Sequence, residues 1–309
     1  MLDQLIEKQL AFAAWFFPHE DRPGLLVSNA EDVTYLNQFN HLNGEQGFVF
    51  APYSITEESP VILLKPGKLM EDFSAIESFD IQTVRPFRNN HDQSGDYVYS
   101  EKEEYLTTIQ DTIDEIKKGD LSKVIISRRI AVDRTNDSVG SVFLELQKQT
   151  PNAFTYLVNL PKAGTWVGAT PEILLHSNGE KFETVSLAGT QTRKFDSEYS
   201  WTTKDIEEQA FVSRYMLDVF YRFNIGKYTT QGPETMESGK VAHLKTLFSF
   251  QADRITNCLG DFIADLHPTP AVCGFPKDLA SEFIRIKEKY QRKYFKRPPD
   301  LIRQGRKRP

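Results

Sequence analysis

Cysteine is scarce in this sequence. The 309 residues hold two, Cys258 and Cys273, and these form no motif. Two thiols without a framework fit a reducing compartment, and a chain of this length can bury a sizeable core without disulfides. No apolar run is long enough to span a bilayer. The opening Met1-Leu2-Asp3-Gln4-Leu5-Ile6-Glu7-Lys8 is acidic too early for a secretory signal. Positive charge is in deficit, with a formal net charge of -6, which argues against a general nucleic-acid binder. A P-loop, a Gly-x-Gly-x-x-Gly turn, a Cys/His zinc spacing and a Ser-centred nucleophile elbow are all missing, so nucleotide and serine-hydrolase readings have no support. Internal repeats and Gly- or Ser-rich linkers are missing too. These absences predict a cytoplasmic protein with no membrane and no nucleic-acid partner.

What is present reads as one α+β domain. Residues 1–20 predict a short helix and then an aromatic strand, Ala11-Phe12-Ala13-Ala14-Trp15-Phe16-Phe17. Short strands follow at 47–52 and 60–64, and a polar loop at about 88–95. Tyr105, Ile109, Ile113 and Ile116 recur at helical spacing, and Gly119-Asp120 ends that helix. Residues 123–132 carry a strong strand signal. A helix is expected at 142–149, strands at 153–160, 165–168, 173–176 and 182–187, and a long helix at 204–223. A strand near 240–245 and helices at 251–266 and 277–294 complete the pattern. Several links are too short for parallel crossovers, so the sheet is expected to be largely antiparallel. The last stretch, 296–309, is basic, has Pro at three places and lacks apolar periodicity, and it is expected to be disordered or loosely held.

The chain is organised around Phe182-Glu183-Thr184-Val185-Ser186-Leu187-Ala188-Gly189-Thr190. This reads as a strand entering a small-residue turn. Gly189 can take backbone angles that other residues resist and lets a ligand approach the main chain, and Thr190 adds a hydroxyl. Beside the acidic helix Lys204-Asp205-Ile206-Glu207-Glu208-Gln209, such a turn suits a small anionic substrate; an ordinary Gly turn is the plainer alternative. Lys123 heads an apolar strand, where burial would make it a base near neutral pH, or else it faces solvent at a strand edge. Glu172 follows Pro171 at a strand end or bulge, where it is either a general acid or a turn glutamate in water. Asp205 and Glu208 share a helix face and fit a Mg²⁺ site that retains waters, or simply an acidic first turn. His243 could bond a substrate hydroxyl or carboxylate, or be a satisfied core histidine. The stretch from His267 to Lys277 is a rigid turn before a helix, and Gly274 permits close approach within it.

Taken in order, six stretches resemble the chorismate-utilising enzymes: 123–128, 168–172, 187–190, 204–208, 241–244 and 267–277. That family includes isochorismate synthase, salicylate synthase and the large components of anthranilate and aminodeoxychorismate synthases. The resemblance implies one large α+β domain with two antiparallel sheets flanked by helices and the active site between them. Residues 1–95 would be its variable N-terminal part, 96–295 the chorismate-binding catalytic region and 296–309 an off-pattern basic tail. It also implies Mg²⁺ and chorismate as the substrate; a monomer is expected, although the sequence does not itself give the oligomeric state. Lysine at 123 looks like the water-activating members, and 267–272 is similar to isochorismate synthases rather than aminating enzymes. Carried over by position, Lys123 would take a proton from water attacking C2 of chorismate, and protonated Glu172 would donate to the departing C4 hydroxyl. Glu208 would hold Mg²⁺ with Asp205 in support. Ala188, Gly189 and Thr190 would contact the substrate, and His243 would lie beside the leaving hydroxyl. A salicylate synthase, which adds pyruvate elimination, and a chorismate-binding remnant without turnover remain open. The implied product would feed menaquinone or a catecholate siderophore. The sequence departs from the family at Gln209, where many members have histidine. It departs again after the segment Tyr290-Gln291-Arg292-Lys293-Tyr294-Phe295, where members add further strands, a carboxylate-binding arginine and a second metal glutamate. A chain truncated at its C-terminus, with little activity alone, is therefore expected.

Overall fold

Every residue of the strand β1, Ala11–Phe16, is buried, as expected of a strand covered on both faces. The computed structural model describes residues 1–87, 99–133, 136–194 and 198–295, with the backbone of 301–302. The expected loop at 88–95 lies outside the described residues, and so does most of the tail at 296–309. In chain order the elements are α1 (Leu2–Glu7), β1, β2 (Pro23–Ser28), β3 (Val33–Leu36), β4 (Gly47–Phe50), β5 (Val61–Leu64), β6 (Lys68–Met70), α2 (Phe73–Glu77), α3 (Lys102–Lys118), β7 (Lys123–Val124), α4 (Val139–Gln149), β8 (Phe154–Leu160), β9 (Gly164–Thr170), β10 (His176–Ser177), β11 (Lys181–Thr192), α5 (Thr203–Arg222), β12 (Tyr228–Ser238), β13 (Val241–Gln251), α6 (Leu259–Leu266), β14 (Gly274–Phe275), α7 (Lys277–Lys287) and β15 (Leu301–Ile302).

The strands form antiparallel sheets in the orders β6-β2-β1-β8-β9, β10-β11-β13-β12, β15-β4-β5-β3 and β14-β7. Because β1 lies between β2 and β8, the N-terminal strands share a sheet with the region that carries Glu172. The largest core cluster fills the space between α5, α6 and β13. Val212, Met216, Val219 and Phe220 follow one helical stripe and meet Phe248, Phe250 and Phe262. Phe220 sits edge-on to Phe250 with ring centroids 4.8 Å apart. Among the described residues no helix is long and apolar enough to cross a membrane.

Four expectations are corrected. The strand signal at 123–132 yields a ladder of only two residues, because beyond Val124 the chain bonds to loops and side chains: Ile125 N–H to Cys273 O at 2.9 Å and Ser127 N–H to Glu288 at 2.7 Å. Ala188-Gly189-Thr190 is not a turn. The strand β11 runs through it with a bulge at Gly189, where the register against β13 shifts. The helix expected at 251–266 begins at Leu259, since Gln251 belongs to β13. Strand β12 was not expected at all: it is a polar, largely exposed edge with Pro233 at its own register shift.

Candidate functional site

Lys123 is buried on β7, 7% exposed, with its main chain against Gly274. A Cβ on Gly274 would fall 2.1 Å from the Lys123 carbonyl oxygen, so only glycine allows this approach. Burial lowers the proton affinity of the Lys123 amine. The carboxylates of Glu208 and Glu172 act in the opposite direction, and the nearby Lys204 ammonium adds to the lowering. Charges from two other stretches, Glu172 after β9 and Lys204 with Glu208 on α5, therefore bear on the Lys123 amine.

Glu172 reaches this place because β9 ends at Thr170, just before Pro171. The Thr170 hydroxyl oxygen accepts from Glu172 N–H at 3.2 Å, which fixes the chain after the strand. The Oε1 atom of Glu172 is closed off from solvent. Glu208 is carried on the second turn of α5 and pairs with Lys204, one turn earlier, at 3.7 Å. That i,i+4 spacing was visible in the sequence, yet Lys204 was passed over as a site residue.

Asp205 works for the helix. Its Oδ2 accepts from Thr202 N–H at 3.0 Å and Thr202 Oγ at 2.8 Å, while its own N–H donates to Thr202 Oγ, a reciprocal cap on α5. The Thr202 hydroxyl also lowers the Asp205 carboxyl below its usual range. Among the described residues no cluster of three or more His, Cys, Asp or Glu could hold a metal ion. With Asp205 committed to the cap, Glu208 is the one of the two expected metal carboxylates that the cap does not hold. One carboxylate fits Mg²⁺ shared with a substrate carboxylate and water, and does not fit a cation held by protein alone.

The second half of the site is the bulge. Gly189 has φ of +73°, and a Cβ there would lie 3.2 Å from Asp205 Cβ, so glycine lets β11 and the first turn of α5 touch. The close approach expected of Gly189 is thus made by helix α5. His243 faces the bulge: its Nδ1 lies 3.2 Å from Gly189 O and 3.1 Å from Thr190 Oγ. A carbonyl only accepts, which assigns a proton to Nδ1 and leaves Nε2 as an acceptor on the neutral ring. Burial keeps that ring's proton affinity low. Ala188 differs from its neighbours: its methyl packs in the core, so only its main chain can meet a ligand. Gln209 is buried, with Nε2 2.9 Å from Ser186 Oγ and 2.6 Å from Thr246 Oγ, tying α5 to β11 and β13. In the 267–277 stretch, Lys277 donates to the carbonyls of Asp265 and His267 at 3.2 and 2.8 Å and closes the end of α6.

The model of the family described as "Chorismate binding enzyme" matches residues 42–299. The vibriobactin-specific isochorismate synthase of Vibrio cholerae is 29% identical over 202 residues, which cover 62% of this chain and 51% of that protein. The isochorismate synthase EntC of Escherichia coli is 32% identical over 186 residues, covering 57% and 47%. The chain spans about half the length of these curated relatives. Among solved structures, DhbC from Bacillus anthracis superposes with a TM-score of 0.73 at 21% identity, over 96% of this chain and 83% of that one. At that identity the likeness speaks for the fold. Because the family model takes in most of the sequence, including all six stretches singled out above, the chain belongs to the chorismate-binding enzymes.

Proposed function

We propose that this chain converts chorismate to isochorismate in the manner of an isochorismate synthase. The observation that carries the reading is the buried Lys123 amine, with the carboxylates of Glu172 and Glu208 acting on it from two other elements. In the proposed reaction Lys123, neutral, takes a proton from a water whose oxygen bonds to C2. The ring double bonds move from C1=C2 and C5=C6 to C1=C6 and C4=C5. The C4–O bond breaks, and protonated Glu172 supplies the proton with which the hydroxyl leaves as water. A base and an acid placed at two ends of one flat ring are what this displacement needs.

Glu208 would hold Mg²⁺ jointly with the substrate's ring carboxylate, and the ion when bound would supply positive charge to grip that carboxylate. Asp205 supports this arrangement by fixing the turn of α5 on which Glu208 stands. The Gly189 backbone and Thr190 would contact the substrate, and Nε2 of His243 would accept from its hydroxyl. The product suits a menaquinone or catecholate siderophore route.

Incubation of the 309-residue chain with chorismate and Mg²⁺, followed by chromatographic identification of products, tests the proposal. Isochorismate as the product supports it. Salicylate with pyruvate would assign a salicylate synthase instead. Calorimetric binding without product would assign a chorismate-binding remnant, and neither binding nor product would end the proposal.

A further inference from the structure

Strand β7 pairs with β14 at two positions only, Val124 with Gly274 and Lys123 with Phe275. Such a ladder is a slender hold for an amine whose placement has to be accurate. Just beyond it, one side chain grips both strands. The Arg292 guanidinium donates to Ile125 O at 2.6 Å and to Val272 O at 3.0 Å, two residues past Lys123 on one side and two before Gly274 on the other. The same guanidinium forks onto the Glu288 carboxylate, Nε at 2.8 Å and Nη2 at 2.5 Å. Glu288 Oε1 accepts the N–H and the hydroxyl of Ser127 at 2.7 and 2.9 Å, and Ser127 Oγ lies 2.7 Å from the Tyr290 hydroxyl. The ion pair is almost dry, with side-chain exposures of 5% and 2%.

An ion pair buried this deeply is weak grounds for a stability role, because well-packed apolar residues often serve as well. An apolar pair could not hold two carbonyls and an N–H of neighbouring segments at once. Lysine could not either, lacking the planar fork. We infer that Arg292 and Glu288 are positioning residues: together they set β7 against β14 and so aim the Lys123 amine into the site. This rests on Lys123 being the base of the reaction proposed above.

The test is Arg292→Lys in the full chain, with rates normalised to folded protein by circular dichroism. The expected kcat falls by roughly 10²-fold while KM for chorismate changes less than about threefold, the scale of loss for a misplacement of about an ångström. The ascending limb of kcat moves to higher pH, because water reaching Lys123 restores its ordinary proton affinity. Reductive methylation of Lys123, followed by mass spectrometry and compared at equal fractions of neutral amine, accelerates because the reagent now reaches it. A role confined to stability would lower the melting temperature and leave both the pH limb and the labelling of folded protein unchanged; that result overturns the inference. If Arg292→Lys does not fold, Ser127→Ala, which removes one hydroxyl, is read the same way, with a loss of about three- to tenfold expected. If the native chain turns over no chorismate, the functional proposal fails, and labelling of Lys123 alone decides the positioning role.

Discussion

At Lys123, burial and charge pull in opposite directions, and burial is the larger. The amine therefore gives up its proton at a lower pH than an ordinary lysine, so kcat should rise with pH through that lowered value. Lys123→Met should cost about 10²- to 10⁴-fold in kcat, the usual contribution of a placed acid or base, with chorismate binding by calorimetry largely kept. The sign for stability follows from linkage. Between the lowered native value and the ordinary 10.5, the unfolded chain binds more protons, so native stability rises with pH. Lys123→Met should accordingly stabilise the fold most below that window, and the gain in denaturant midpoint should shrink as pH climbs through it. Lys204 adds a like charge from a position that is 83% exposed. Lys204→Gln should move the ascending limb slightly to higher pH, and the shift should vanish in high salt, which screens exposed charges. The sequence offered Lys123 and Glu172 as candidates, each beside a plainer reading as a strand-edge lysine and a turn glutamate. It was silent on Arg292 and Glu288, because a network that spans residues 125 to 292 leaves no local spacing to read.

Helix α5 brings the site to order by three devices: the Thr202–Asp205 cap, the contact at Gly189 and the Gln209 bridge. Thr202→Ala should lower stability by about 1 kcal/mol, as lost caps do, measured by urea unfolding. Gly189→Ala should be harsher than a cap loss, since a φ of +73° and a methyl against Asp205 are both unfavourable, and it should raise KM for chorismate by displacing Thr190 from His243. The amphipathic helices were legible because their apolar stripes are local: α3 and α5 fall close to their expected spans. Strand ends were not. The bulge at Gly189 looks like a turn when only its small residues are seen, since nothing nearby says that β13 runs alongside. Polar β12 gave no signal, because an exposed edge strand buries too little to impose alternation. The strand signal at 123–132 was real in composition, but the backbone partners beyond Val124 come from loops and carboxylates.

On the scale of the molecule, residues 1–95 and 96–295 were expected as a variable part and a catalytic region, and they share their sheets and cores. β1 lies beside β8, and Tyr294 stacks on Phe50 at 4.9 Å while its hydroxyl reaches Pro60 O at 2.7 Å. Glu172, just past the end of β9, and Lys123 on β7 belong to different sheets, and the Glu172 charge bears on the Lys123 amine. The order of the family-like stretches made this architecture legible; single spacings did not. Because no cluster of three or more metal-ligating side chains exists among the described residues, Mg²⁺ should bind poorly to the chain alone and well in the presence of chorismate, a dependence that calorimetry in both orders of addition would reveal. The most direct measurement is turnover of chorismate with Mg²⁺ in water enriched in oxygen-18. If Lys123 activates water for attack at C2, the isochorismate formed carries one heavy oxygen, at the C2 hydroxyl, and Lys123→Met forms little of it. Unlabelled isochorismate, or equal turnover by Lys123→Met, would contradict the account.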